Sequence, residues 1–171
     1  MGQHEARGVA WLRRRGLRLV EAQIHRRFPA VPEIGRRELA AWLAREGEPT
    51  PVLLDAREAD EFAVSHLAGA LRIDPGRPDV GSLGRDPARP MVVYCSVGYR
   101  SARVAAQLIR SGFEPVFNLR GGVFGWALDG RPLWCPESGS GTLVHPFDST
   151  WGLLLDPELR AGTQGDDRAA P

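Results

Sequence analysis

The chain contains no lysine, and all 22 of its basic residues are arginine. That absence excludes Schiff-base chemistry and a Walker-type phosphate loop, both of which need a lysine amine. Cysteine is scarce: Cys95 and Cys135 are the only two in 171 residues. Two are too few for a disulfide scaffold and point to a reducing compartment. No apolar run approaches the ~20 residues that a spanning helix requires, so a cytoplasmic location without a transmembrane segment is expected. The four histidines and two cysteines show no metal-ligand spacing, so neither a metal nor a cofactor is expected.

The remaining composition is that of a globular protein, 43% hydrophobic and 25% charged, long enough for one domain with terminal extensions. A formal net charge of +1 gives no strong nucleic-acid signal, but the charge is uneven. Residues 1–28 carry seven arginines against Glu5 and Glu21, a net of +5, which leaves −4 for the remainder.

Within residues 7–28, Val9, Leu12, Leu17, Val20, Ile24 and Phe28 recur at helical spacing, with most arginines off that stripe. Arg13-Arg14-Arg15 suits a twin-arginine export signal, but no apolar stretch or small-residue cleavage site follows, so the segment is expected to be retained. This helix is expected to pack its stripe on the domain with the arginine face solvated. An acidic partner, RNA or an anionic membrane surface are the sharper alternatives for that face.

Pro29 and Pro32 end this helix, and a second is predicted over residues 36–46, stopped by Gly47. Residues 52–56 form a short apolar run bounded by breakers, a buried-strand pattern. A short helix over 58–65, a strand over 69–73 and a Gly- and Pro-rich loop over 74–90 follow. Then come a strand at 91–94, a helix at 101–110 and a strand at 116–119, whose βαβ order predicts parallel pairing. A last helix is predicted over 123–128. Beyond Pro136 the chain is polar and Gly-rich apart from residues 143–155, and 161–171 reads as disordered.

Cys95-Ser96-Val97-Gly98-Tyr99-Arg100 joins the strand at 91–94 to the helix that follows. In an open parallel sheet, ligands bind where a strand's carboxyl end meets the next helix. Unpaired amides at a helix N-terminus form an anion nest, and with the helix dipole they favour a cysteine thiolate. Gly98 permits the backbone angles that turn amides inward, and Arg100 adds a cation able to fork onto an oxyanion. The Cys-x4-Arg spacing alone is weak in a chain so rich in arginine, and an inert buried cysteine is the plain alternative. The strand before, the helix after and the glycine inside favour a functional Cys95.

Three ordered motifs resemble the rhodanese-like domain family over residues 32–133. The first is Leu53-Leu54-Asp55-Ala56-Arg57-Glu58 followed by Glu61-Phe62 and Ser65-His66-Leu67-Ala68-Gly69-Ala70. The second is Val92-Val93-Tyr94 with the Cys95–Arg100 loop and Ser101, and the third is Leu119-Arg120-Gly121-Gly122-Val123-Phe124-Gly125-Trp126. The resemblance implies an α/β fold: a three-layer α/β/α domain over 32–134 with a central parallel sheet. An N-terminal helical extension (1–31) and an irregular C-terminal tail (135–171) would flank it.

It further implies a sulfurtransferase that carries a sulfane sulfur as a persulfide on Cys95, from thiosulfate or a persulfide to a thiol or cyanide. The amides of Ser96, Val97, Gly98, Tyr99 and Arg100 would cradle that sulfur, and Arg100 would help hold an anionic donor. Related phosphatases use a loop one residue longer, so the four residues between Cys95 and Arg100 favour sulfur over phosphate. A phosphatase or arsenate reductase is therefore a weaker reading, and a non-catalytic persulfide-binding or interaction module is the alternative.

Asp55, Arg57 and Ser101 are expected as supporting residues. Asp55 is a candidate to pin the loop, and Arg57 to line the pocket or form a supporting ion pair. His66 is expected to make a structural hydrogen bond rather than serve as a base. Cys135 is a bystander or a resolving thiol. The aromatic tail around Phe147 and Trp151 is expected to cover the core, with a lid over the active site as the sharper option.

Overall fold

A computed structural model describes residues 2–47, 49–83, 86 and 88–162, without the side chains of 2–8 and of Ser82. Five parallel strands form one sheet: β1 (Glu33–Ile34), β2 (Val52–Asp55), β3 (Leu71–Arg72), β4 (Met91–Tyr94) and β5 (Val116–Leu119), in the order β1-β5-β4-β2-β3. The helices are α1 (Gly2–Arg27), α2 (Arg36–Leu43), α3 (Ala59–Val64), α4 (Tyr99–Arg110) and α5 (Gly122–Leu128). The βαβ unit predicted from sequence is present as β4-α4-β5, with Met91 opposite Val116 and Val93 opposite Asn118.

Both faces of the central strands are buried because alternate side chains leave the sheet in opposite directions. Leu53, Val92, Tyr94 and Leu119 meet α2 and α5 on one face. Leu54, Met91, Val93 and Cys95 meet Val104, Ala105 and Leu108 of α4 on the other. The chemistry-bearing loop therefore leaves the end of the most enclosed strand, where the backbone has least freedom to shift.

Several boundaries differ from the sequence expectation. β1 was not foreseen, since two residues squeezed between Pro32 and Gly35 carry no readable alternation. β3 shrinks to two residues, α2 stops at Leu43, and α4 begins at Tyr99 because Gly98 caps it in the left-handed region (φ 114°). A 3-10 turn, Val80–Leu83, interrupts the loop expected over 74–90. The disorder expected for 161–171 lies, from residue 163 onward, outside the described residues.

α1 docks through Leu17 and Ile24, which are buried, and Val20. The expected stripe does not hold along its whole length, because Val9 and Leu12 are exposed, Leu12 by 58%. At 3.6 residues per turn Leu12 points roughly 140° away from Leu17. The arginine face is not wholly solvated either. Arg13 pairs with Asp156 at 2.8 Å, and Arg14 donates to Leu128 O at 2.6 Å.

The tail returns across the same face. Val144 and Leu155 are fully buried beside Leu17, and the 3-10 turn Trp151–Leu154 packs against α1. Arg36 ties the assembly together, bonding Glu21 of α1 at 2.8 Å, Asp129 at 2.9 Å and Arg120 O at 2.9 Å.

Candidate active site

Cys95 follows β4 directly, and its side chain is 2% exposed at the base of a cavity of about 440 Å³. Its Sγ accepts the Gly98 N–H at 3.2 Å and lies 3.5 Å from Ser101 Oγ. Ser101 in turn donates to Asn118 Oδ1 at 2.7 Å, and Asn118 Nδ2 donates to Gly98 O at 3.2 Å. β5 thus holds the loop through one buried amide. A side chain at Gly98 would need a backbone angle that L-residues rarely adopt.

The loop is clamped from the other side by α5. Val123 N–H donates to Cys95 O at 2.9 Å and Phe124 N–H to Ser96 O at 3.0 Å. Gly122 permits this approach: a Cβ there would lie inside contact distance of both carbonyls. Gly122 of the third motif is thereby explained as the close approach that clamps the Cys95 loop, a role that sequence reading did not assign.

Arg100 points back toward α3. Its Nη1 donates to Glu61 Oε2 at 2.6 Å and its Nη2 to Glu61 Oε1 at 2.8 Å, a two-pronged pair. Ser96 Oγ donates to the same Oε1 at 2.9 Å, and Glu58 N–H donates to Oε2 at 3.0 Å. Burial alone would raise the Glu61 pKa, but the Arg100 bonds, the Glu58 amide and the Ser96 hydroxyl together hold it below the ordinary carboxylate value. Burial likewise works against the Arg100 cation, and Glu61 and Cys95 outweigh it and raise its pKa. Glu61 stands in the first motif, but sequence reading gave it no role in the site.

Asp55 and Arg57 are both fully buried and bond each other, Nη2 to Oδ2 at 2.7 Å and Nε to Oδ1 at 2.9 Å. Arg57 also donates to Ser65 O at 2.6 Å. Neither side chain lines the Cys95 cavity. His66 Nδ1 lies 2.9 Å from Phe62 O, and its ring stacks between Phe62 and Trp134, so it holds the turn after α3. Cys135 lines a different cavity with Asp60 and Leu143, and both cysteines are free thiols.

The walls beside Cys95 come from both terminal segments. Val20 and Ile24 of α1, and Phe147 and Trp151 of the tail, join Val97 and Tyr99 around the opening. The tail accordingly covers the core and also reaches over the loop. Among the described residues no helix is long and apolar enough to cross a membrane.

A family model described as the rhodanese-like domain matches residues 37–129. A protein named sulfurtransferase from Allochromatium vinosum is 34% identical over 107 residues, spanning 63% of this chain and 98% of that one. YibN of Escherichia coli K12, named an uncharacterized protein, is 29% identical over 140 residues, 78% of this chain and 92% of its own. The solution structure of the rhodanese-like domain from an Anabaena protein is 30% identical with a TM-score of 0.54, covering 63% of this chain and 82% of that one. A family match over more than half the sequence, on a parallel sheet with the Cys95–Arg100 loop between β4 and α4, establishes that this chain belongs to the rhodanese-like domain family.

Proposed function

We propose that the protein is a sulfurtransferase that carries sulfane sulfur as a persulfide on Cys95. The observation that carries this reading is the setting of the sulfur: Cys95 lines a cavity at the start of α4, and its Sγ accepts the Gly98 N–H. Amides and a helix N-terminus stabilise negative charge on sulfur both before and after loading. The Cys95 thiolate attacks the outer sulfur of a donor and the donor's S–S bond breaks. Sulfite leaves if the donor is thiosulfate, and a thiolate leaves if it is a persulfide. A thiol or cyanide then attacks the outer sulfur of the Cys95 persulfide and regenerates the thiolate.

The relative named sulfurtransferase supports the same chemistry. Against phosphate transfer stand the four-residue loop and Glu61, which already neutralises the Arg100 fork. The test is turnover with thiosulfate or a low-molecular-weight persulfide as donor and cyanide or a thiol as acceptor, alongside hydrolysis of an aryl phosphate. Product that depends on Cys95 in the first assay, with no phosphate release in the second, is expected. Aryl phosphate hydrolysis without sulfur transfer would overturn the reading, and sulfur loading without release would make the protein a carrier rather than an enzyme.

A further inference from the structure

We propose that the cavity above Cys95 selects a donor persulfide with an apolar organic body over inorganic thiosulfate, an inference that rests on the sulfurtransferase reading. Two independent features lead to it. The first is the wall. Val20, Ile24, Phe147 and Trp151 all lie outside residues 37–129, so the walls come from segments added to the family domain. At about 440 Å³ the space falls within the roughly 300–1,000 Å³ of small-molecule sites and far exceeds what a small inorganic anion fills.

The second feature is charge. Arg100 is the one charged residue lining this cavity among the described residues. Both of its Nη atoms are engaged by Glu61, whose carboxylate also takes the Ser96 hydroxyl. The Phe147 ring lies over the guanidinium, 4.7 Å from Cζ to the ring centroid. Phe147 is held there in a left-handed backbone conformation (φ 68°) that bulky residues rarely adopt, with its N–H donated to His145 Nδ1 at 3.0 Å. A doubly charged anion would have to shed its water beside a cation already neutralised by a carboxylate. A persulfide R–S–SH presents one neutral or singly charged sulfur and gains from burying R.

The step balances without an oxidant. The Cys95 thiolate attacks the outer sulfur, the S–S bond of R–S–SH breaks, and R–S⁻ departs with the bonding pair. The outer sulfur keeps its proton on Cys95 as Cys–S–SH.

The experiment measures kcat/KM for thiosulfate and for a series of straight-chain alkyl hydropersulfides of increasing length. The wild type, Phe147→Ala, Val20→Ser and Glu61→Gln are compared, each first checked for a cooperative thermal transition. Wild-type kcat/KM is expected to rise roughly fourfold per added methylene until the cavity is full. Thiosulfate should be the poorest donor. Phe147→Ala and Val20→Ser should flatten the length dependence, and Glu61→Gln, by freeing Arg100, should improve thiosulfate relative to the alkyl donors. Thiosulfate matching or exceeding the alkyl donors with no length dependence overturns the inference while leaving the sulfurtransferase reading intact. A length dependence unchanged in both cavity variants overturns the assignment to this cavity. Failure of every donor to load Cys95 removes the sulfurtransferase reading itself.

Discussion

Two arginine–carboxylate pairs lie along the nucleophile side of the sheet, alike in chemistry and unlike in surroundings. Asp55 and Arg57 stand two residues apart, and both side chains are fully sealed from solvent. Glu61 and Arg100 stand 39 residues apart, with Glu61 2% exposed but Arg100 20% exposed at the cavity wall. The first pair ties the end of β2 to Ser65 O and never reaches the sulfur. The second joins α3 to the Cys95 loop at the wall of the cavity. A cation near a nucleophile is thus not by itself an anion site; its partners decide what it can still bind.

Breaking the sealed pair should have the largest effect. Arg57→Ala leaves the Asp55 carboxylate buried without its partner and is expected to lower the unfolding free energy by about 3–5 kcal/mol. Urea denaturation measures this, and an unchanged midpoint would show that Asp55 finds other partners. Glu61→Gln keeps the shape but removes the charge, and should cost about 1–3 kcal/mol in the same measurement, since the Arg100 fork loses its ionic acceptor.

Acid titration sharpens the comparison further. Because Glu61 is held below its ordinary value of 4.5, the stability it contributes is complete above that value and is lost as pH falls through the lowered one. Glu61→Gln should therefore have a flatter acid limb than the wild type when unfolding free energy is measured against pH. Equal slopes would assign the acid loss to other carboxylates. Phe147→Ala should have the smallest effect on stability, within about 1 kcal/mol, because the ring is 42% exposed and its main contact is the cation–π face of Arg100. A larger loss would make Phe147 a core residue rather than a wall of the site.

Much of the fold was legible because the pattern is local. β2, β4 and β5 are apolar runs between breakers, and the helical stripe of Val104, Ala105 and Leu108 follows the Cys95 loop directly. β1 was not legible, being two residues long and existing only as a partner of Asn118 and Leu119. Cys95, Gly98 and Arg100 could be read from one short loop. Glu61 could not, since its bond to Arg100 crosses 39 positions and hydrophobic periodicity says nothing of which buried carboxylate meets which cation. The same limit hid the part of the cavity wall that α1 supplies. Spacing marks Ile24 as buried, but only the packing of α1 and the tail over the sheet brings it beside Cys95.

The most direct test of the central claim is the intact mass of the protein after incubation with thiosulfate, and separately with an alkyl hydropersulfide, before and after cyanide. A gain of one sulfur atom from at least the hydropersulfide is expected, removed by cyanide and absent in Cys95→Ala. No sulfur gained from either donor, or a gain that persists in Cys95→Ala, would contradict it.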